Sequence, residues 1–221
     1  HNQVSLSNKL MDLDHPIYLL KNEEIDISSR IGIEINGILG SRFFSNQIVE
    51  FDFIRKRLIV YPRDGNIKKL NKMTSLDIEL IGNRPFIDIK LLQDKDSISG
   101  KVLIDMGNSD AVLLLADRLI GYKIKEPVIA DYIGQGFSGE IYGHRNRIKS
   151  LTIGPFAMSY PLVAYPEIES LKKAKIVNDR IGSIGNELLR RFNIIFDYSK
   201  GKLFRKKPIN CYVIVKRTLS N

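Results

Sequence analysis

An internal repeat constrains this chain more than any other feature of its sequence. The segment "NGILGSRFFSNQIVEFDFIRKRL" (36–58) aligns without gaps to "IGSIGNELLRRFNIIFDYSKGKL" (181–203), so that Gly37 meets Gly182 at an offset of 145 residues. The same register continues upstream to Ser5 and Ser150. It predicts a duplicated structural unit. The identities are Ser5/Ser150, Leu6/Leu151, Pro16/Pro161, Glu24/Glu169, Ile31/Ile176, Gly37/Gly182, Gly40/Gly185, Phe51/Phe196, Asp52/Asp197 and Leu58/Leu203.

The two copies differ in extent. Residues 1–62 repeat only the second part of the later unit, and residues from about 75 to 147 have no earlier counterpart. We therefore expect the back half of a first lobe at 1–62, a linker at 63–75, a complete lobe at 76–207 and a C-terminal tail at 208–221. At the offset of 145, the counterpart of Asp105 would lie about 40 residues upstream of His1.

Short strands dominate the later unit. Alternating residues on either side of Gly82-Asn83 predict a β-hairpin, and "KVLID" predicts a strand that ends at Asp105. "VIADYIGQGFSGEIYGHRNRIK" predicts two strands around a glycine-rich tip, and "NIIFDYSKGKLFRKK" predicts a hairpin. Only "GNELLRRF" (185–192) has helical spacing. This pattern is typical of a mainly β fold, either a sandwich or a closed β-barrel-like lobe.

Composition and spacing argue against several functions. Cys211 is the single cysteine, which rules out an intramolecular disulfide and a multi-cysteine metal site, and the three histidines lack metal-ligand spacing. We expect no metal and no cofactor. No apolar run is long enough to span a membrane, and the N-terminus lacks the order of a signal peptide. The net charge of +9 is interleaved with apolar residues, which favours solvated faces over a nucleic-acid groove.

Two further patterns have structural interpretations. "GQGFSG" (134–139) has the glycine spacing of a dinucleotide fingerprint, but a strand-like segment follows it where a helix should begin, which favours a hairpin tip. Asp52 and Asp197 precede equivalent hairpin turns and are expected to cap them or pair with nearby basic residues. For Asp110, a turn or cap role is also expected.

The order of three motifs carries a family resemblance. "LIDMGNSDAVLL" places Asp105-Met106-Gly107 after an apolar strand, "GQGFSG" follows, and "IGSIG" (181–185) then leads into a short helix. This order, with the duplication, resembles the retropepsin-like and pepsin-like aspartic proteases, most closely the bacterial secreted members with two tandem lobes. The resemblance covers about 75–207 as a full lobe and about 1–62 as a partial one.

The resemblance implies an aspartic-type endopeptidase with a peptide or protein substrate and an extracytoplasmic location. It also implies Asp105 as the catalytic residue, an active-site loop and a flap that binds the substrate. The loop comprises Met106, Gly107, Asn108 and Ser109, and the flap comprises Gly134, Gln135, Gly136, Phe137, Ser138 and Gly139.

Two departures leave alternatives open. Met106 stands where the family has a threonine or serine hydroxyl that bonds to the opposite loop, and no other Asp-Thr/Ser-Gly occurs in the sequence. The second aspartate would come from an upstream lobe or from a second copy of the chain in a homodimer. The alternatives are a catalytically inactive peptide-binding module on the same fold and, less favoured, a basic nucleic-acid-binding protein.

Overall fold

The computed structural model describes residues 2–7, 10–19, 28–29, 32–93, 96–136, 139–171 and 179–206. The described chain is mainly β, as the strand pattern predicts. The predicted tail at 208–221, like Phe137 and Ser138 of the glycine-rich tip, lies outside the described residues. No helix in the described part of the chain has the length and apolar character needed to cross a bilayer.

The strands are numbered β1 to β17 in chain order, and all described helices are short. The strands are β1 Val4–Ser7, β2 Leu10–Asp12, β3 Ile48–Asp52, β4 Arg57–Tyr61, β5 Thr74–Asp77, β6 Glu79–Ile81, β7 Arg84–Gln93, β8 Asp96–Ile104, β9 Val112–Leu114, β10 Ile129–Gly136, β11 Gly139–Arg147, β12 Ser150–Ile153, β13 Phe156–Ser159, β14 Leu162–Pro166, β15 Gly182–Ile184, β16 Asn193–Asp197 and β17 Lys202–Lys206. Single turns of 3-10 helix lie at Ser41–Phe44, Lys68–Lys72 and Ala116–Arg118, and α-helical turns lie at Ile168–Leu171 and Asn186–Leu189.

The largest sheet has ten strands in the order β10-β11-β14-β9-β15-β8-β7-β12-β13, with β6 also paired to β7. Its two end strands, β10 and β13, do not pair with each other, so the sheet stays open. The predicted closure into a barrel-like lobe is therefore wrong. Alternation along a strand reports which face is buried, and it carries no information about which strands become neighbours.

The repeat reappears in the local structure of a second sheet, with strand order β4-β3-β16-β17-β5. The hairpin β3-β4 and the hairpin β16-β17 have bounds that differ by the repeat offset at both ends. Their turns match as well, since Lys56 and its counterpart Gly201 both have positive φ, at 51° and 59°. The edge strand β5 starts at Thr74, within the segment expected to be a linker, and pairs with β17.

The two copies meet about a local two-fold axis. In the antiparallel pair β3·β16, Glu50 lies opposite Ile195, and these two residues are themselves equivalent in the repeat. An antiparallel pair has a two-fold axis between opposed residues. Because the opposed residues are equivalent, this axis relates the first copy of the hairpin to the second.

The predicted turn residues have the predicted roles. Gly82 and Asn83 both have positive φ, at 56° and 63°, as a two-residue hairpin of the primed type requires. Asp52 accepts a hydrogen bond from the Arg55 amide at 3.0 Å, and Asp197 accepts one from the Lys200 amide at 3.0 Å. These aspartates cap the equivalent hairpins, as predicted.

Most of the core belongs to the later unit. One large cluster joins strands of both sheets through residues such as Val102, Val112, Val163 and Phe196. A small separate cluster of Phe43, Phe44 and Val49 lies in the first copy. The aspartate loop therefore starts from the better-packed part of the chain.

Candidate active site

The site is built around a strand from a distant part of the sequence. Strands β8 and β9 flank the Asp105 loop, yet they do not pair with each other, because β15 lies between them. Ile184 of β15 lies opposite Ile104 in a parallel pair and opposite Val112 in an antiparallel pair. The loop from 105 to 111 must therefore cross the carboxyl end of β15.

Backbone hydrogen bonds hold the loop on this end. The Asp105 amide donates to the Ile184 carbonyl at 2.9 Å, and the Gly185 amide donates to the Ala111 carbonyl at 3.2 Å. The Asn186 amide, at the start of the short helix, donates to the Asn108 carbonyl at 2.7 Å. Both ends and the middle of the loop are thus anchored to one strand–helix junction, which leaves Asp105 little positional freedom.

Gly185 makes this crossing sterically feasible. A Cβ atom at this position would lie less than 3.0 Å from the carbonyl oxygens of both Asn108 and Asp110. The φ angle of Gly185, −125°, is that of ordinary extended backbone, which any residue can adopt. Glycine is required here because there is no room for a side chain. Gly182, three residues earlier, is equally restricted by the Leu113 carbonyl.

The Asp105 side chain is half-buried and turned back toward its own loop. Its Oδ1 accepts a hydrogen bond from the Gly107 amide at 2.9 Å. Asn108 supports the loop from the other side, donating from Nδ2 to the Ser183 hydroxyl at 3.2 Å. Met106 packs against the large core cluster. The loop therefore presents one carboxylate, held by a backbone amide, on a rigid base.

A salt-bridge network joins this loop to the predicted flap, the hairpin β10-β11. Arg145 of β11 pairs with Asp110 of the loop at 3.1 Å and with Asp131 of β10 at 3.1 Å. The side chains of Arg145 and Asp110 are only 18% and 10% exposed. Burial raises the pKa of Asp110, whereas the Arg145 charge acts to lower it.

The predicted site residues that the structure describes lie on two elements. Asp105, Met106, Gly107, Asn108 and Ser109 form one loop, and Gly134, Gln135, Gly136 and Gly139 lie at the end of the hairpin β10-β11. Asp110 lies where this loop bends, as expected for a turn residue, and its carboxylate also pairs with Arg145. Arg145 itself lies in "HRNRIK", which composition assigns to a solvated face. No local pattern links residues 35 positions apart.

The Asp105 charge acts on the pKa of one arginine, Arg180. Burial lowers the pKa of Arg180, whereas the Asp105 charge acts to raise it. Sequence reasoning missed Arg180, since it lies in no recognisable motif. Among the residues that the structure describes, no group of three or more His, Cys, Asp or Glu side chains is arranged to hold a metal ion.

We expect Arg145→Met to destabilise the chain by about 2–4 kcal/mol, because it leaves Asp110 buried without its countercharge. Amide exchange in the hairpin β10-β11 should accelerate as well. Urea denaturation and hydrogen-exchange mass spectrometry would measure the two effects. Arg147→Met, at an exposed residue of the same strand, is the matched control and should cost less than about 1 kcal/mol. Equal losses for the two variants would contradict a stabilising role for the Asp110–Arg145 pair.

The protein is mainly β, and its Asp105 loop packs against Gly185 at the carboxyl end of β15, the strand that lies between β8 and β9. No family model matches the chain, and no curated protein matches it. A solved structure of a retropepsin-like aspartic protease from Rickettsia conorii is similar, with a TM-score of 0.40 and 16% sequence identity. The similarity covers 60% of this chain and 90% of that chain. A likeness at this level identifies neither a family nor an activity.

Proposed function

We propose that this chain belongs to an aspartic-type endopeptidase in which Asp105 is one of two carboxylates that activate a water molecule. One observation carries the proposal: the two glycines that make room for the Asp105 loop and β9, Gly182 and Gly185, recur in the sequence as Gly37 and Gly40. The Asp105 loop and β9 cover Gly182 and Gly185, whereas Gly37 and Gly40 lie in an exposed segment without regular secondary structure.

The two copies differ in what lies against them. At Gly182 and Gly185, a Cβ atom would collide with the backbone of the aspartate loop and β9. At Gly37 and Gly40, no described atom lies within 4 Å of the position where a Cβ atom would be. Ile38 is correspondingly 63% exposed, whereas its counterpart Ser183 is 5% exposed. Glycine at positions 37 and 40 would be needed if a second aspartate loop packed on them, because a side chain would then collide with that loop.

The arrangement of β3 and β16 favours a loop from the same chain. The axis that relates the two copies runs between these strands. A second copy of the chain could use that axis only by displacing β3 from β16. We therefore favour an upstream segment, whose aspartate would lie about 40 residues before His1 by the repeat offset, over a symmetric homodimer.

Two such loops would supply the chemistry. Two carboxylates held so near each other cannot both ionise freely, so the pair shares one proton. The ionised carboxylate takes a proton from water while the protonated one polarises the peptide carbonyl, and water attacks that carbonyl carbon. The hairpin β10-β11, anchored to the loop through Arg145, would close over a substrate bound as an extended strand.

The test compares this 221-residue chain with the same chain preceded by its native upstream sequence. The longer protein should hydrolyse a mixed peptide library at acidic pH, and the 221-residue chain should not. Gly40→Val should be tolerated in the 221-residue chain and should abolish activity in the longer protein, because only there does a loop cover Gly40. A longer protein that folds but cleaves no peptide would refute the proposal.

A second candidate, a peptide-binding module without turnover, is favoured by Met106. This side chain packs against the core and supplies no hydroxyl to the opposite loop. Such a module would bind peptides through the same surfaces and leave them intact. The library assay above separates the two candidates.

We expect Met106→Thr to raise kcat/KM of the longer protein several-fold, because one added hydrogen bond contributes about 1 kcal/mol to holding the two loops in place. The 221-residue chain should lose about 1–3 kcal/mol of stability, since apolar contacts are removed. Met158→Thr is the matched control, because Met158 is also partly buried against the same core. It should lower stability without raising activity. Parallel loss of activity in both variants would exclude a limiting role for the missing hydroxyl.

A further inference from the structure

The first copy of the repeat contains an asparagine followed by glycine at its uncovered surface. Asn36 and Gly37 are both exposed, in a segment without regular secondary structure, and no other asparagine in the sequence is followed by glycine. An asparagine side chain can react with the backbone nitrogen of the next residue. Glycine in that next position hinders the approach least, because it has no Cβ atom and its backbone has the widest conformational freedom.

Hydrogen bonds do not restrain this pair. The last anchored backbone amide before it is that of Ile35, which donates to the Ser28 hydroxyl at 2.9 Å. Neither Asn36 nor Gly37 makes a hydrogen bond to a described residue. No described atom lies within 4 Å of the position that a Cβ atom at residue 37 would take. The Gly37 nitrogen and the Asn36 side chain can therefore approach each other without breaking a hydrogen bond to the described chain.

Another asparagine before a small residue is held in place. Asn108 precedes Ser109, and its Oδ1 accepts a hydrogen bond from the Asp110 amide at 3.0 Å. Its Nδ2 donates to the Ser183 hydroxyl at 3.2 Å. Turning this side chain toward the next backbone nitrogen would break both bonds, so Asn108 should be protected where Asn36 is not.

We propose that Asn36 is a site of spontaneous deamidation, at which the chain converts its own side-chain amide to a carboxylate. The Gly37 nitrogen loses its proton and attacks Cγ of Asn36, the bond from Cγ to the side-chain nitrogen breaks, and that nitrogen leaves with a proton as ammonia. Water then opens the resulting succinimide ring at either carbonyl carbon, which leaves aspartate or isoaspartate. Water is the only co-reactant, and nothing is oxidised or reduced.

The product changes the charge of the uncovered surface and, as isoaspartate, the length of its backbone. It places a carboxylate beside Gly37, where the proposed function places the backbone of a second aspartate loop. The counterpart of Asn36 in the covered copy is the buried Ile181, which cannot undergo this reaction. Deamidation would thus mark chains in which the first copy is uncovered.

The experiment incubates the 221-residue chain at mildly alkaline pH and follows each asparagine by peptide mass spectrometry. Asn36 should be converted while Asn108 is not, and electron-transfer fragmentation should detect isoaspartate as well as aspartate. Gly37→Ala should slow the conversion by about tenfold or more, because a methyl group hinders the attacking nitrogen and tenfold in rate requires only about 1.4 kcal/mol of activation free energy. The open space around residue 37 accommodates this alanine without disturbing the fold.

The matched control is Gly40→Ala. It replaces a glycine of the same exposed segment, three residues from the reacting nitrogen, and should leave the rate of Asn36 conversion unchanged. Three results would each overturn the site: no conversion of Asn36, an unchanged rate in Gly37→Ala, or conversion of Asn108 as fast as that of Asn36. The last result would show that the reaction follows unfolding of the chain.

The longer protein separates this site from the proposed function, on which the site does not rest. If an upstream loop covers Gly37, Asn36 should stay an asparagine in the longer protein while it is converted in the 221-residue chain. Equal rates of conversion in the two proteins would retain the deamidation site and contradict the covering loop.

Discussion

Asp105→Asn should lower kcat/KM for peptide hydrolysis by the longer protein about 100- to 10,000-fold, which is the usual contribution of a positioned acid–base group. An amide cannot take the proton that a carboxylate removes from water. The fold should survive, because an asparagine Oδ1 can still accept the hydrogen bond that the Gly107 amide donates to Asp105. Steady-state cleavage of the best library peptide measures the effect, and thermal unfolding verifies the fold.

The matched control for this prediction is Asp117→Asn. Asp117 lies in the 3-10 helix after β9 and pairs with Arg118 at the surface, so its replacement should leave cleavage unchanged. If Asp105→Asn retained more than about a tenth of the wild-type rate, Asp105 would not be the acid–base group, since that loss is smaller than such groups produce.

Gly185→Ala should destabilise the 221-residue chain by about 3–5 kcal/mol. The added methyl group would lie less than 3.0 Å from two backbone carbonyl oxygens, and backbone cannot move aside as a flexible side chain can. The loop would have to lift from β15, breaking the hydrogen bonds that position Asp105. Urea denaturation measures the loss.

Gly40→Ala is the control that the repeat itself provides. Gly40 has an extended backbone with φ −84° and ψ 169°, and no described atom lies within 4 Å of the position of its Cβ. Alanine there should be neutral or stabilise the chain by up to about 1 kcal/mol, by restricting the unfolded state. Equal losses of stability in Gly185→Ala and Gly40→Ala would show that Gly185 is not needed to make room for the loop.

Local features of the fold were predictable from the sequence, because each depends on residues that are close together along the chain. The turn at Gly82-Asn83, the strand that ends before Asp105 and the glycine-rich hairpin all follow from alternation and turn chemistry. The repeat added longer-range information, since a conserved offset predicts that Asp52 and Asp197 cap equivalent hairpins.

The site was only partly predictable. The sequence by itself determined that Asp105 follows a buried strand, that two similar hairpins occur, and that glycines recur at the repeat offset. Only the tertiary structure decided that β15 separates β8 from β9, that Asp110 pairs with Arg145, and that the ten-stranded sheet stays open. The physical reason is that strand order and buried charge pairs depend on contacts between distant residues, whereas periodicity specifies only the face on which each residue lies.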